Sequence, residues 1–76
     1  MNFLNGKLEK YYRKKLTDAT QKLKSHKKRK KQLESDLKGN SNELKIEIQK
    51  EIDRQNDLID IWGENISKIN EHLEKL

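Results

Sequence analysis

From Tyr12 onward, side chains recur at alternating steps of three and four: Tyr12, Leu16, Ala19, Leu23, His26, Lys30, Leu33 and Leu37. A second series runs Ile48, Ile52, Gln55, Ile59, Trp62, Ile66, Ile69, Leu73 and Leu76. This spacing puts each set on one narrow stripe of an α-helix. Sustained for about four repeats, it is the seam of a coiled coil rather than the wider apolar face of a globular helix. Upstream, Leu4, Leu8 and Tyr12 step by four, so the seam drifts toward the N-terminus as an inserted stutter makes it do.

Between the two series lies Lys38-Gly39-Asn40-Ser41-Asn42, which contains no large apolar side chain. Gly39 suits the left-handed residue just past a helix end. Asn40 followed by Glu43 reads as a capping box opening the next helix, with Ser41 or Asn42 as alternative caps. Lysines before the stop and Glu43 and Glu47 after the start complement the two helix dipoles. The pattern predicts an all-α fold in a single domain, a two-helix antiparallel coiled-coil hairpin. A first helix covers about residues 3–38, a turn 39–42 and a second helix about 43–76.

Doubling the chain back at Asn40 pairs positions whose numbers add to about 81 or 82. Leu33 then meets Ile48, His26 meets Gln55, Ala19 meets Trp62, and Tyr12 meets Ile69. In the alternate layers Lys30 meets Ile52, Leu23 meets Ile59 and Leu16 meets Ile66. The largest side chain faces the smallest seam residue, as close packing of a thin core requires. The seam's histidine faces its glutamine, so two polar groups that are costly opposite aliphatics can satisfy each other. This polar layer separates a turn-side cluster (Leu33, Leu37, Leu44, Ile48) from a larger cluster toward the termini.

Composition narrows the function classes. The chain has 76 residues, 41% of them charged and only 30% hydrophobic, so it has no room for a deep core. It has no cysteine, which removes disulfides, thiol nucleophiles and thiolate metal sites. His26 and His72 have no ligand spacing for zinc: His26 is assigned to the polar layer and His72 to solvent. The acids Asp53, Asp57, Asp60 and Glu64 ride one helix face as surface charge, and no phosphate loop or nucleophile arrangement appears. No enzyme, cofactor or small-molecule substrate is expected. No run approaches eighteen apolar residues, and the start lacks a signal-peptide pattern, so neither membrane insertion nor classical secretion is expected and the expected setting is cytoplasmic. Export without a signal is compatible with the same pattern.

The net charge of +5 conceals a division. Residues 1–38 hold 13 Lys+Arg against 4 Asp+Glu, a balance of +9, whereas residues 39–76 hold 5 against 9, a balance of −4. Two readings of function follow. In the first, apolar residues off the seam and gathered toward the termini (Phe3, Leu4, Tyr11, Leu58, Ile61, with Trp62) form a docking surface. Its partner is a second copy, giving a four-helix bundle, or another helical protein. In the alternative, the basic run around Lys24, Lys27, Lys28, Arg29 and Lys31 binds nucleic acid through its phosphates. The hairpin register tempers that alternative. It sets Lys28 near Asp53, Lys24 near Asp57 and Lys30–Lys31 near Glu51, so part of the charge is expected to be compensated internally. Gly63, mid-helix, costs about 1 kcal/mol relative to alanine; either it is tolerated beside Trp62 or it admits another backbone.

Overall fold

A computed structural model describes residues 3–76, apart from the side chain of Phe3. Helix α1 spans Phe3–Leu37 and helix α2 spans Asn42–Glu74; they pack against each other along their length as an antiparallel hairpin. The Cα trace is a rod of 61 × 14 × 12 Å. Burial follows the seam. On α1 the positions withdrawn from water are Asn5, Leu8, Tyr12, Leu16, Ala19, Leu23, His26, Lys30, Leu33 and Leu37, while the side chains between them are exposed. Ile48, Ile52, Gln55, Ile59, Trp62, Ile66, Ile69 and Leu73 are withdrawn on α2.

Two helices can bury only one stripe each, and the core is correspondingly thin. Its buried apolar members are Ala19, Leu33 and Ile52, and Gln55 is buried beside them at 6% exposure. Gln55 is tolerated there because both ends of its amide are used. Its Oε1 lies 2.8 Å from His26 Nδ1, and its Nε2 donates to Glu51 Oε1 at 3.1 Å. With the carboxylate fixing the amide's orientation, His26 Nδ1 is the donor to the glutamine oxygen. The expected polar layer is therefore made, and it extends to Glu51 and from there to Arg54, 3.6 Å away. No buried side-chain polar atom among the described residues lacks a partner.

The turn differs from expectation in its chemistry. Gly39 does not adopt a left-handed conformation. The end of α1 is instead tightened by two short-range bonds, Lys38 N–H to Ser35 O and Gly39 N–H to Asp36 O, both 3.3 Å, so no residue with positive φ is needed. Asn40 does not open α2. Its side-chain amide donates to the Asp36 carbonyl and closes α1, which removes it from a capping box with Glu43. Ser41 is the N-cap, extended at φ −63° and ψ 162°, with no side-chain capping bond. Glu43 does fall in the first turn of α2, but the last turn of α1 has no basic residue, because the helix stops at Leu37, one residue before Lys38. Leu44, expected in the turn-side cluster, is 53% exposed, because the alternating three-four spacing continued back from Ile48 puts Lys45 in the seam, and Lys45 is the residue partly withdrawn there. Leu76 lies past the end of α2 and is exposed.

Gly63 is not a point of close approach within the hairpin. A Cβ built there meets nothing within 4 Å, which favours simple tolerance. Among the described residues, no helix is long and apolar enough to cross a membrane.

Candidate interaction site

The sides of the rod follow from helix geometry. Successive residues turn by about 100°, so in an antiparallel pair the residue before each seam position falls on the same side for both helices. The residue after each seam position falls on the opposite side. On α1 the first side receives Tyr11, Lys15, Asp18, Lys22 and Arg29; on α2 it receives Leu58, Ile61, Asn65, Lys68 and His72. A groove of about 560 Å³ runs along it, bounded by Tyr11, Tyr12 and Ala19 of α1 and by Trp62, Ile69 and His72 of α2. The second side is polar throughout its middle, with Lys24, Lys27 and Lys31 on α1 and Gln49, Asp53, Asn56 and Asp60 on α2.

The groove is built around an aromatic cluster. The rings of Tyr12 and His72 stack with centroids 4.9 Å apart and planes only 8° from parallel. Tyr11 meets Tyr12 edge-on at 5.3 Å, and Lys15 Nζ sits 5.1 Å from the centre of the Tyr11 ring. His72 is exposed, as expected, and its ring also packs against Tyr12. It lies one turn beyond Ile69, the expected partner of Tyr12, and the tyrosine reaches along the seam to it. That spacing was the available signal. Ala19, 1% exposed, and the half-buried Trp62 line the same groove, as the register requires.

Of the expected docking residues, Leu4, Tyr11, Leu58, Ile61 and Trp62 belong to this side, Leu4 because it precedes Tyr11 by seven residues. Leu4, Tyr11 and Ile61 are more than half exposed, whereas Leu58 and Trp62 are partly withdrawn. Phe3's side chain lies outside the described residues. Ile46 and Leu44 are exposed near the turn, away from this cluster.

Among the basic candidates, Lys24, Lys27, Lys28, Arg29 and Lys31 are all exposed. Lys24, Lys27, Lys28 and Lys31 share one stripe about 10 Å long at i, i+3, i+4 and i+7; Arg29 falls off it, on the groove side. The expected pairing with α2 does not form. Among the described residues, no ion pair within 4 Å joins Lys24, Lys28, Lys30 or Lys31 to Asp53, Asp57 or Glu51; the pairs run within a helix, as in Arg13–Glu9 at 2.9 Å, Lys50–Glu47 at 3.6 Å and Arg54–Glu51. Glu47 and Glu51 find cations one turn away on α2, and Gln49 donates to Asp53 at 3.0 Å; Asp57 has no ion-pair partner within 4 Å among the described residues. Lys28, two positions past the seam, points away from α2 altogether.

Among the described residues, no three His, Cys, Asp or Glu side chains converge as a metal site would require. The chain matches no protein-family model, no curated protein and no solved structure.

Proposed function

We propose that the hairpin is a non-enzymatic interaction module that works by docking its grooved side, helix against helix, onto a protein. The observation that carries this reading is the coincidence of Tyr11, Leu58, Ile61 and Trp62 on the side that holds the groove, while the middle of the opposite side is polar. The thinness of the core supports it. A chain of this size without disulfide or metal has little stability in reserve, and further burial is the remaining source. A cytoplasmic setting is part of the same proposal. A photo-crosslinking side chain at position 61, compared with one at the exposed position 67 across the rod, tests it in cells. Protein adducts through 61 and not 67 are expected; equal or absent adducts contradict the reading.

A second reading rests on the unpaired stripe Lys24, Lys27, Lys28 and Lys31. Four exposed cations with no carboxylate within 4 Å among the described residues suit a phosphate backbone. Binding to duplex DNA or RNA would then fall steeply as salt rises from about 50 to 200 mM, whereas an apolar docking contact would change little.

A further inference from the structure

We propose that the face of α1 turned away from the groove binds the paired strands of a nucleic-acid duplex by their phosphates, without regard to sequence. This rests on the second reading above, extends its site to Lys10 and Lys14, and names its ligand.

The lysine stripe repeats the seam's own alternation on the outside of α1. Lys31, Lys28 and Lys24 step by three and four, and the same steps continue through Gln21, Thr17, Lys14 and Lys10, all exposed. Lys27 stands beside this line, and no Asp or Glu falls on it. Asp18, the only acid between Lys10 and Lys31, lines the groove instead. On α2 the residues that flank the seam next to this face are uncharged: Gln49, Asn56, Gly63 and Asn70. Asp53 and Asp60 lie farther round α2. Even with both counted, the six lysines leave a surplus of four positive charges on this side. None of the six has a carboxylate within 4 Å among the described residues; Arg13 is set aside because Glu9 holds it at 2.9 Å.

Shape and chemistry select the ligand. The helix is continuous from Phe3 to Leu37, so Lys10 and Lys31 stand about 32 Å apart along its axis. That is close to one turn of duplex, about 34–36 Å. The face carries no apolar side chain, so a protein or a membrane would find no anchor there, whereas phosphate contacts need none. It carries no ring either. Tyr11 lies on the grooved side and Tyr12 in the seam, so unpaired bases would have nothing to stack on. A duplex also carries twice the charge of one strand per length of axis. Base reading is not provided for. Thr17 and Thr20 donate their hydroxyl protons inside α1, to Arg13 O at 3.1 Å and Leu16 O at 2.7 Å, and have none left for a base edge. Contacts from lysine to phosphate carry no sequence information.

Fluorescence anisotropy with the full chain tests the assignment. The labelled probes, about two helical turns long, are DNA duplexes of two unrelated sequences, an RNA duplex and a DNA single strand. The two DNA duplexes should bind within about twofold of each other, and the single strand about tenfold more weakly. Binding to only one kind of duplex supports the inference and assigns the ligand to that kind. Lys10→Gln with Lys14→Gln should weaken duplex binding about fivefold or more and lower the slope of log affinity against log salt by about two. Lys22→Gln with Lys68→Gln removes the same charge from the grooved side and should change affinity by less than about twofold. Circular dichroism confirms that the variants stay helical. A single strand bound as tightly as the duplex, or a strong preference between the two DNA sequences, overturns the inference. If the Lys10 and Lys14 pair behaves like the grooved-side control while the quadruple glutamine variant of Lys24, Lys27, Lys28 and Lys31 loses binding, the extended face is wrong and the second reading stands. No duplex binding by the wild-type chain at about 50 mM salt ends both.

Discussion

Gln55 offers the sharpest perturbation, because one side chain holds two bonds at the centre of the rod. Replacing it with leucine keeps the volume close and removes the acceptor 2.8 Å from His26 Nδ1 and the donor 3.1 Å from Glu51. Glu51 is partly exposed and retains Arg54, so its loss is small. His26 is the one left stranded, its ring nitrogen facing an alkyl group in a half-buried layer. An unmet donor in such a place costs about 1–3 kcal/mol, and the leucine's own burial returns part of it, so a net loss of about 1–2 kcal/mol is expected. For a chain of this length that is roughly 5–15 °C in Tm. His26→Leu should cost a similar amount by stranding Gln55. The double variant should recover most of the loss, since removing both partners of a buried polar pair is nearly neutral. Thermal melts followed by circular dichroism, at one fixed protein concentration because self-association shifts Tm, complete the double-mutant cycle. A coupling energy indistinguishable from zero would refute the reasoning, because it would mean that the two side chains do not meet.

Three other outcomes follow from the same geometry. Gly63→Ala should raise stability by about 0.5–1 kcal/mol in the same melts, because the added methyl meets nothing within 4 Å and the helix interior gains a better former; a loss would mean that another backbone sits against position 63. Ile52→Ala, in the buried core, should cost about 2–4 kcal/mol, whereas Leu44→Ala, at an exposed site, should change stability by less than about 0.5 kcal/mol. Replacing Lys24, Lys27, Lys28 and Lys31 together by glutamine should leave stability within about 1 kcal/mol, since none of them forms an ion pair in the hairpin among the described residues. If those lysines engage phosphates, the same quadruple variant should lower affinity for duplex nucleic acid and flatten its salt dependence.

How much of this was legible in the sequence depended on the range of the interaction. The seam was legible from Leu8 to Leu73, because a period of 3.5 residues records which stripe is buried regardless of what covers it, and His26 opposite Gln55 followed from counting back across the turn. At the ends it was not, since Leu4 and Leu76 are exposed and Asn5 keeps the three-four period in place of the expected drift through Leu4. The turn's details were not. Gly39 and Asn40 have several local hydrogen-bonding options of similar energy, and which one wins depends on where α1 stops. Leu44 was placed inside on its apolar character, but the seam's three-four alternation runs through Lys45 and leaves Leu44 outside it. The lysine pairings failed for a different reason. Register brings Lys24 and Lys28 to the level of Asp57 and Asp53, but a long exposed side chain in water loses little by staying there, and Asp53 already accepts from Gln49 one turn away. The candidate docking residues Tyr11, Leu58, Ile61 and Trp62 were legible individually. Their meeting on one side of the rod, and the His72 ring against Tyr12, became clear only with both helices in place.

The central claim is the doubled-back register, and nuclear Overhauser contacts test it most directly. In a sample mixing isotope-labelled and unlabelled chains, filtered to report contacts within one chain, the His26 ring should show contacts to the Gln55 side chain. Finding those contacts only between chains would mean that the molecule is an unbroken helix paired with a second copy, and the hairpin account would be wrong.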